Sequence, residues 1–307
     1  MRRLSPDSVV YCKDVSAPAL NPCRDGACYF LRKGGCQVHA KHGAAAKPAG
    51  CRRFPYGLVG TPMGGRITTE HRCPCRTLGA RPEINLEDAD ASLRDRAGRL
   101  EAENRMEGRL RLTRRSAVSF ARYVALEARL LERLNSGERA ESVLRAAPLP
   151  KLDGRTWPGI ATDYFDMQDG TAGGHAVAWF GDALLSISAG HSPPQRPRPW
   201  RAAFERAASR PGGPLDPELI YNDWVADELW QFRASDWGPF DVARAELATR
   251  LAVARRLSQW LELQEVAPRQ AAAEAIMMVE IATVTSVWPE AAQAIAQDPS
   301  PAEPLEP

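Results

Sequence analysis

The rhythm of apolar and polar positions changes near Ile84. Before it, hydrophobic residues are scattered among glycines and prolines, with turn signals at Asn21-Pro22, Gly34-Gly35 and Gly64-Gly65, so residues 1 to about 80 read as irregular structure. Beyond it the spacing becomes helical. Residues 86 to 111 are dense in Arg, Glu and Asp, with Leu93, Leu100 and Met106 as sparse anchors, which predicts an exposed helix or helical linker. Within 114 to 136, Phe120, Val124, Leu131 and Leu134 share one face, Leu130 widens it, and Asn135-Ser136-Gly137 ends it, so this helix is expected to dock on the body. Residues 146 to 170, punctuated by Trp157-Pro158-Gly159, read as a connection with a short ordered piece from Thr162 to Phe165. Helices are predicted at about 174 to 188, 200 to 209, 217 to 233, 239 to 264 and 267 to 287, with a proline-rich surface segment at 189 to 199. Asp298 to Pro307, with four prolines, three acids and few apolar residues, is expected to be a disordered tail.

Length sets the scale of what these elements can build. A chain of 307 residues with 44% hydrophobic content has room for one large or two ordinary domains. No run of about 18 apolar residues is present, and the charged N-terminus has no apolar stretch behind it, so neither a membrane span nor a secretory leader is expected and the predicted compartment is cytoplasmic.

The candidate chemistry lies in the irregular part. All seven cysteines (Cys12, Cys23, Cys28, Cys36, Cys51, Cys73 and Cys75) fall between positions 12 and 75, together with His39, His42 and His71 of the five histidines. In a reducing compartment, clustered thiols point to metal or redox chemistry more than to a disulfide framework. Soft thiolates in a loop-rich segment suit Zn(II) or an iron–sulfur cluster, and a bound metal would supply the folding free energy that so small a core lacks. The spacing C-x10-C-x4-C-x7-C-x14-C-x21-C-x-C is neither that of a zinc ribbon nor that of a bacterial ferredoxin, and it leaves both ions open.

Charge fits the same picture. The net charge is only +2, yet residues 1 to 80 hold 13 Lys or Arg against 4 Asp or Glu. Cations such as Arg52, Arg53, Arg72 and Arg76 would favour thiolates and offset their charge. Nucleic-acid binding through this basic segment is the weaker reading, because the aromatic residues that would stack on bases are few there.

The run Cys28-Tyr29-Phe30-Leu31, then Gly35-Cys36-Gln37-Val38-His39, Lys47-Pro48-Ala49-Gly50-Cys51-Arg52-Arg53-Phe54-Pro55 and Cys73-Pro74-Cys75 resembles the YkgJ-type cysteine-cluster family, regarded as a zinc- or iron-chelating domain. The resemblance covers residues 12 to 76, and Pro48-x-x-Cys51-Arg52-x-Phe54-Pro55 is its most specific part. Cys28, Cys36, Cys51 and Cys73 match the pattern, Cys75 extends it, and Cys12 and Cys23 match loosely. Lys47 stands where the family usually has Arg. Flagellin lysine methylases of the FliB type carry a related cluster, which implies an alternative function as a protein-lysine N-methyltransferase using S-adenosylmethionine, although the cysteine triplet of radical enzymes using that cofactor is absent. Either reading implies a protein partner or protein substrate.

Other candidates have plainer explanations. His39 and His42 suit exposed loop positions, whereas His71, two residues before Cys73, is a candidate ligand or ligand-supporting group. His175 after Gly173-Gly174 suits a helix N-terminus, and Tyr221, Trp224, Trp230 and Trp237 suit core packing. Asp223, Asp227 and Glu228 read as a solvated helix face. The expected fold is thus mostly α: a small irregular Cys-rich metal-binding N-terminal domain at 1–83, an α-helical body at 84–297, and a tail at 298–307.

Overall fold

The computed structural model describes residues 9–12, 17–20, 29–32, 35–80, 84–95, 97–106, 108–193, 195–232 and 238–295. The expected tail at 298–307 lies outside the described residues, as do Cys23, Cys28 and Trp237. The chain divides into two units, Met1–Phe54 with Leu86–Glu101, and Pro55–Asn85 with Ala102–Pro307.

The first unit is made of short pieces. Strands β1 (Val9–Cys12) and β2 (Ala17–Leu20) pair antiparallel, as do β3 (Leu31–Arg32) and β4 (Gly35–Cys36). Helices α1 (Gln37–His42) and α2 (Ala49–Arg53) follow. The second unit then begins with a hairpin of β5 (Tyr56–Thr61) and β6 (Gly64–Thr69), whose turn places Gly64 at φ +115°, and continues into helix α3 (Pro74–Leu78). The chain returns to the first unit for α4 (Leu86–Leu93), which buries Ala89 and Leu93 and packs on α2. It re-enters the second unit at β7 (Asn104–Arg105), which pairs parallel to β5 through Val59 and Gly60. The units divide after residue 54, ahead of the β5–β6 hairpin, which buries Val59, Arg66 and Thr68 on one face and Leu58 on the other.

The rest of the second unit is mostly helical. A hairpin of β8 (Arg109–Thr113) and β9 (Ser116–Ser119) leads into α5 (Phe120–Asn135) and α6 (Ala140–Leu144). Residues 86 to 111 are therefore one short helix and strand pieces rather than a long helical linker. Ser119 caps α5 by accepting from the Arg122 N–H, at 3.3 Å. Its buried stripe is Phe120, Tyr123, Leu126, Glu127, Leu130 and Leu134; Val124 and Leu131 sit at its edge, so the buried face is turned from the one expected. Helix α7 (Trp157–Asp166) takes the middle of the predicted connection and contains the short ordered piece expected from Thr162 to Phe165. The Thr156 hydroxyl accepts from Gly159 N–H at 3.2 Å and Pro158 fits the first turn, so the Pro-Gly pair starts a helix instead of breaking one.

Helix α8 (Ala172–Ala189) begins at the Thr171 cap and ends at Gly190, φ +72°. Then come α9 (Arg201–Ala208), α10 (Pro217–Gln231), α11 (Phe240–Glu262), α12 (Pro268–Ala282) and α13 (Val287–Ile295). Ala271, Ala272, Ala273 and Ala275 are fully buried on α12, and small side chains there let α8 and α11 approach closely. Trp179, Trp224 and Trp288 fill the centre and each indole N–H finds an acceptor: Pro197 O at 3.2 Å, Glu280 Oε1 at 3.0 Å and Glu246 Oε1 at 2.5 Å. No single helix among the described residues is long and apolar enough to cross a membrane.

The turn before α10 rests on the end of α3. Gly213 has φ +77°, and a Cβ there would collide with the carbonyl oxygens of Leu78 and Gly79. Gly213→Ala is expected to lower stability by about 2–3 kcal/mol, measured by urea unfolding, from the left-handed backbone and the clash together. A loss below about 0.5 kcal/mol would show that the turn yields at little cost.

Candidate functional site

The cysteines divide between the units. Cys36, half-buried, ends β4 and precedes α1, and Cys51 is exposed on α2; both belong to the first unit. The backbone of Cys12 ends β1. Cys73 is half-buried at the N-cap of α3, and Cys75 is exposed within that helix, both in the second unit. Cys36, Cys51, Cys73 and Cys75 are not in disulfides. Across Pro74 the Cys73 and Cys75 side chains interact: burial pushes the Cys73 thiol up, and the neighbouring Cys75 pushes it further, against the pull of backbone N–H groups. Arg210 Nη1 lies 3.7 Å from Cys75 Sγ. His39 and His42 are exposed on α1, on a helix rather than in a loop.

The most ordered polar arrangement surrounds His71, between β6 and α3. Its ring is 1% exposed, and Nε2 lies 2.7 Å from Asp227 Oδ2 on α10. The same oxygen accepts from Arg76 Nη2 at 2.7 Å and from the Thr69 hydroxyl at 3.4 Å. Arg76 Nη1 donates to Asp223 at 3.0 Å, and its Nε donates to Thr69 Oγ1 at 2.7 Å. Burial works to raise the Asp227 carboxyl, but the hydrogen bond and charge of His71, with Arg76 and Thr69, outweigh it and hold the group below the ordinary carboxylate range. Asp227 is therefore ionised and accepts from His71 Nε2. The other ring nitrogen, Nδ1, is buried and has no hydrogen-bond partner among the described residues.

A second cluster on the same hairpin anchors the first. Arg66, on β6, donates to Glu127 Oε1 of α5 at 2.8 Å and to Trp230 O at 3.3 Å, and its guanidinium lies 4.0 Å from the Trp230 ring centre. Trp230 Nε1 returns a hydrogen bond to Ile67 O at 3.1 Å. Arg66 and Glu127 are both buried. These contacts clamp β6 onto α10, so the chain that leaves β6 delivers His71 to Asp227.

Asp223 and Asp227 are thus not a solvated face. They are one helical turn apart and both face α3, where Arg76 meets them; Glu228 points the other way and is buried against Arg250. No local pattern announces this, because the partners lie about 150 positions apart in sequence. Among the described residues the converging group of possible metal ligands is His71, Asp223 and Asp227, with donor atoms within 4.8 Å of one another. The guanidinium of Arg76 already bridges both carboxylates there. Comparison of the chain with protein-family models, with curated proteins and with solved structures finds no match.

Proposed function

We propose that the chain is a metal-binding protein whose Cys-rich N-terminal part carries a Cys-ligated Zn(II) or iron–sulfur centre, in the manner that the YkgJ-type resemblance implies. The observation that carries this reading is the confinement of all seven cysteines to positions 12–75, with two of them, Cys73 and Cys75, holding their thiols side by side at the start of α3. The donor chemistry fits: thiolates are the ligands both ions take, and Arg210 puts positive charge beside Cys75. Cys12, Cys23, Cys28, Cys36, Cys51, Cys73 and Cys75 are the residues that would hold the metal. Bound Zn(II) would supply folding free energy, and an iron–sulfur centre would add electron transfer.

The full chain purified without oxygen and in reductant is expected to retain zinc or iron in stoichiometric amount by elemental analysis. Zinc would leave it colourless, and an iron–sulfur centre would make it brown. A folded, reduced preparation containing neither metal, and taking up neither when they are supplied, would end this reading.

A further inference from the structure

We infer that His71 is a ligand to this centre through Nδ1, and that Asp227 is the residue that positions its ring. The inference rests on the Cys-ligated reading above and adds to it a nitrogen ligand and a supporting carboxylate.

The reasoning starts from a buried nitrogen with nothing to bond. Burying a polar atom without a partner is costly, and native proteins rarely do so without a reason. With Nε2 turned to the Asp227 carboxylate, Nδ1 is the ring nitrogen left to offer a lone pair to a metal. No N–H or O–H among the described residues meets it. A lone pair on an imidazole whose other nitrogen donates to a carboxylate is the arrangement that metal-binding histidines adopt, because the carboxylate fixes the tautomer and makes the ring a better base.

Position supports the same assignment. His71 stands two residues before Cys73 and four before Cys75, in the sequence His71-Arg72-Cys73-Pro74-Cys75-Arg76. The Thr77 hydroxyl donates to His71 O at 3.0 Å, which ties the histidine backbone to the helix that bears both thiols. Asp227 is itself held by Arg76 and Thr69, so the carboxylate cannot swing away and let the ring turn. One turn of chain thus supplies a nitrogen donor, two sulfur donors and the arginine that steadies the supporting carboxylate.

The rival position, a cation held by His71 Nε2, Asp223 and Asp227, is already filled by a cation of the protein's own. Arg76 lies 3.0 Å from Asp223 and 2.7 Å from Asp227, and Nε2 is committed to Asp227. A divalent ion would have to displace that guanidinium. Nδ1 and the two sulfurs are not all within 4.8 Å of one another in the structure, so binding would have to draw these donors together.

Anaerobic titration of the reduced full chain with Co(II) tests this. Wild type is expected to show thiolate-to-cobalt charge transfer and the strong visible bands of a tetrahedral site. His71→Ala should keep charge transfer, shift the visible bands and bind Co(II) at least about 10–100-fold more weakly, with added imidazole restoring the wild-type spectrum. Asp227→Asn should bind about 10–100-fold more weakly with little change of band position, and Asp223→Asn should stay within about threefold of wild type. X-ray absorption of the cobalt-loaded wild type, which needs no variant to fold, should show imidazole scattering beside sulfur. Identical affinity and spectrum in His71→Ala, or an all-sulfur shell in wild type, would overturn the assignment while leaving the Cys-ligated reading intact. Co(II) binding in wild type without charge transfer, and lost in Asp223→Asn, would move the metal to the rival position. Absence of charge transfer in wild type would remove the Cys-ligated reading itself, and this inference with it.

Discussion

Replacing Arg250 with methionine is expected to lower folding stability by about 3–5 kcal/mol, the loss typical when one partner of a buried ion pair is removed. Arg250, on α11, is 2% exposed and serves three carboxylates that are equally buried. It donates to Glu228 of α10, lies 2.9 Å from Glu246 one turn earlier on α11, and is 3.5 Å from Glu280 of α12. Trp288 and Trp224 add indole N–H groups to Glu246 and Glu280. Three acids around one base leave an excess of negative charge in a core lined by tryptophan, which favours the protonated form of Glu246. Burial pushes Glu246 above the ordinary carboxylate range, and Glu228 pushes the same way, against Arg250 and Trp288. A carboxyl whose folded pKa is raised contributes stability that is fully present below its unfolded pKa and is lost as pH rises through the folded one. Without Arg250 that loss deepens, so the deficit of the variant should be larger at about pH 8 than at about pH 5. Urea unfolding at both values checks this. Adding Glu228→Gln and Glu280→Gln to the Arg250→Met background should recover much of the loss. A deficit under about 1 kcal/mol at either pH would show that the carboxylates do not depend on this arginine.

The same cluster explains what could and could not be read from the chain. Helices α8 to α12 were legible because their apolar residues recur at helical spacing, and Thr171, Asp216, Gly190 and Pro268 mark their ends. Charged residues in those helices, however, look alike whether they face water or a buried partner. Glu228 and Asp227 are adjacent, yet one enters the core and the other holds His71. Their partners, Arg250 and Arg76, sit on other elements, so no local rule could sort them. Arg66 and Glu127, also buried, were missed for the same reason. The boundary between units was hidden differently: the β5–β6 hairpin is rich in glycine and short of apolar residues, which reads as irregular, but it is held by ladder hydrogen bonds and by Arg66. Of the candidate site, the cysteines and His71 stood out by clustering, whereas Asp227, Thr69 and the unpartnered Nδ1 emerged only from the fold.

Glu274→Ala is expected to cost about 3–5 kcal/mol and to loosen a segment that reads, in sequence, as a surface loop. Glu274 is fully buried on α12 and accepts four hydrogen bonds: from Arg198 Nε at 2.9 Å and Nη2 at 2.7 Å, from Trp200 Nε1 at 2.9 Å and from Gln270 Nε2 at 2.8 Å. Three of the four come from Arg198 and Trp200, at the end of the proline-rich stretch before α9, where Trp200 is also buried. Trp179 donates to Pro197 O at 3.2 Å, and Arg196 pairs with the buried Asp182. The segment therefore lies on α8 and α12, and its prolines suit it to this task because an extended backbone without N–H groups needs few partners of its own. Removing the Glu274 carboxylate strands the Arg198 guanidinium in an apolar surrounding with no counter-charge, and the least costly escape is for the segment to peel away. Chymotrypsin should then cleave after Trp200, which packing shields in wild type, faster than in wild type under conditions where the helices still give full circular dichroism. Glu274→Gln, which keeps one acceptor oxygen, should fall between wild type and Glu274→Ala, and adding Arg198→Met to Glu274→Ala should recover part of the stability. If cleavage in Glu274→Ala stayed at the wild-type rate, the tryptophan packing alone would be what holds the segment down.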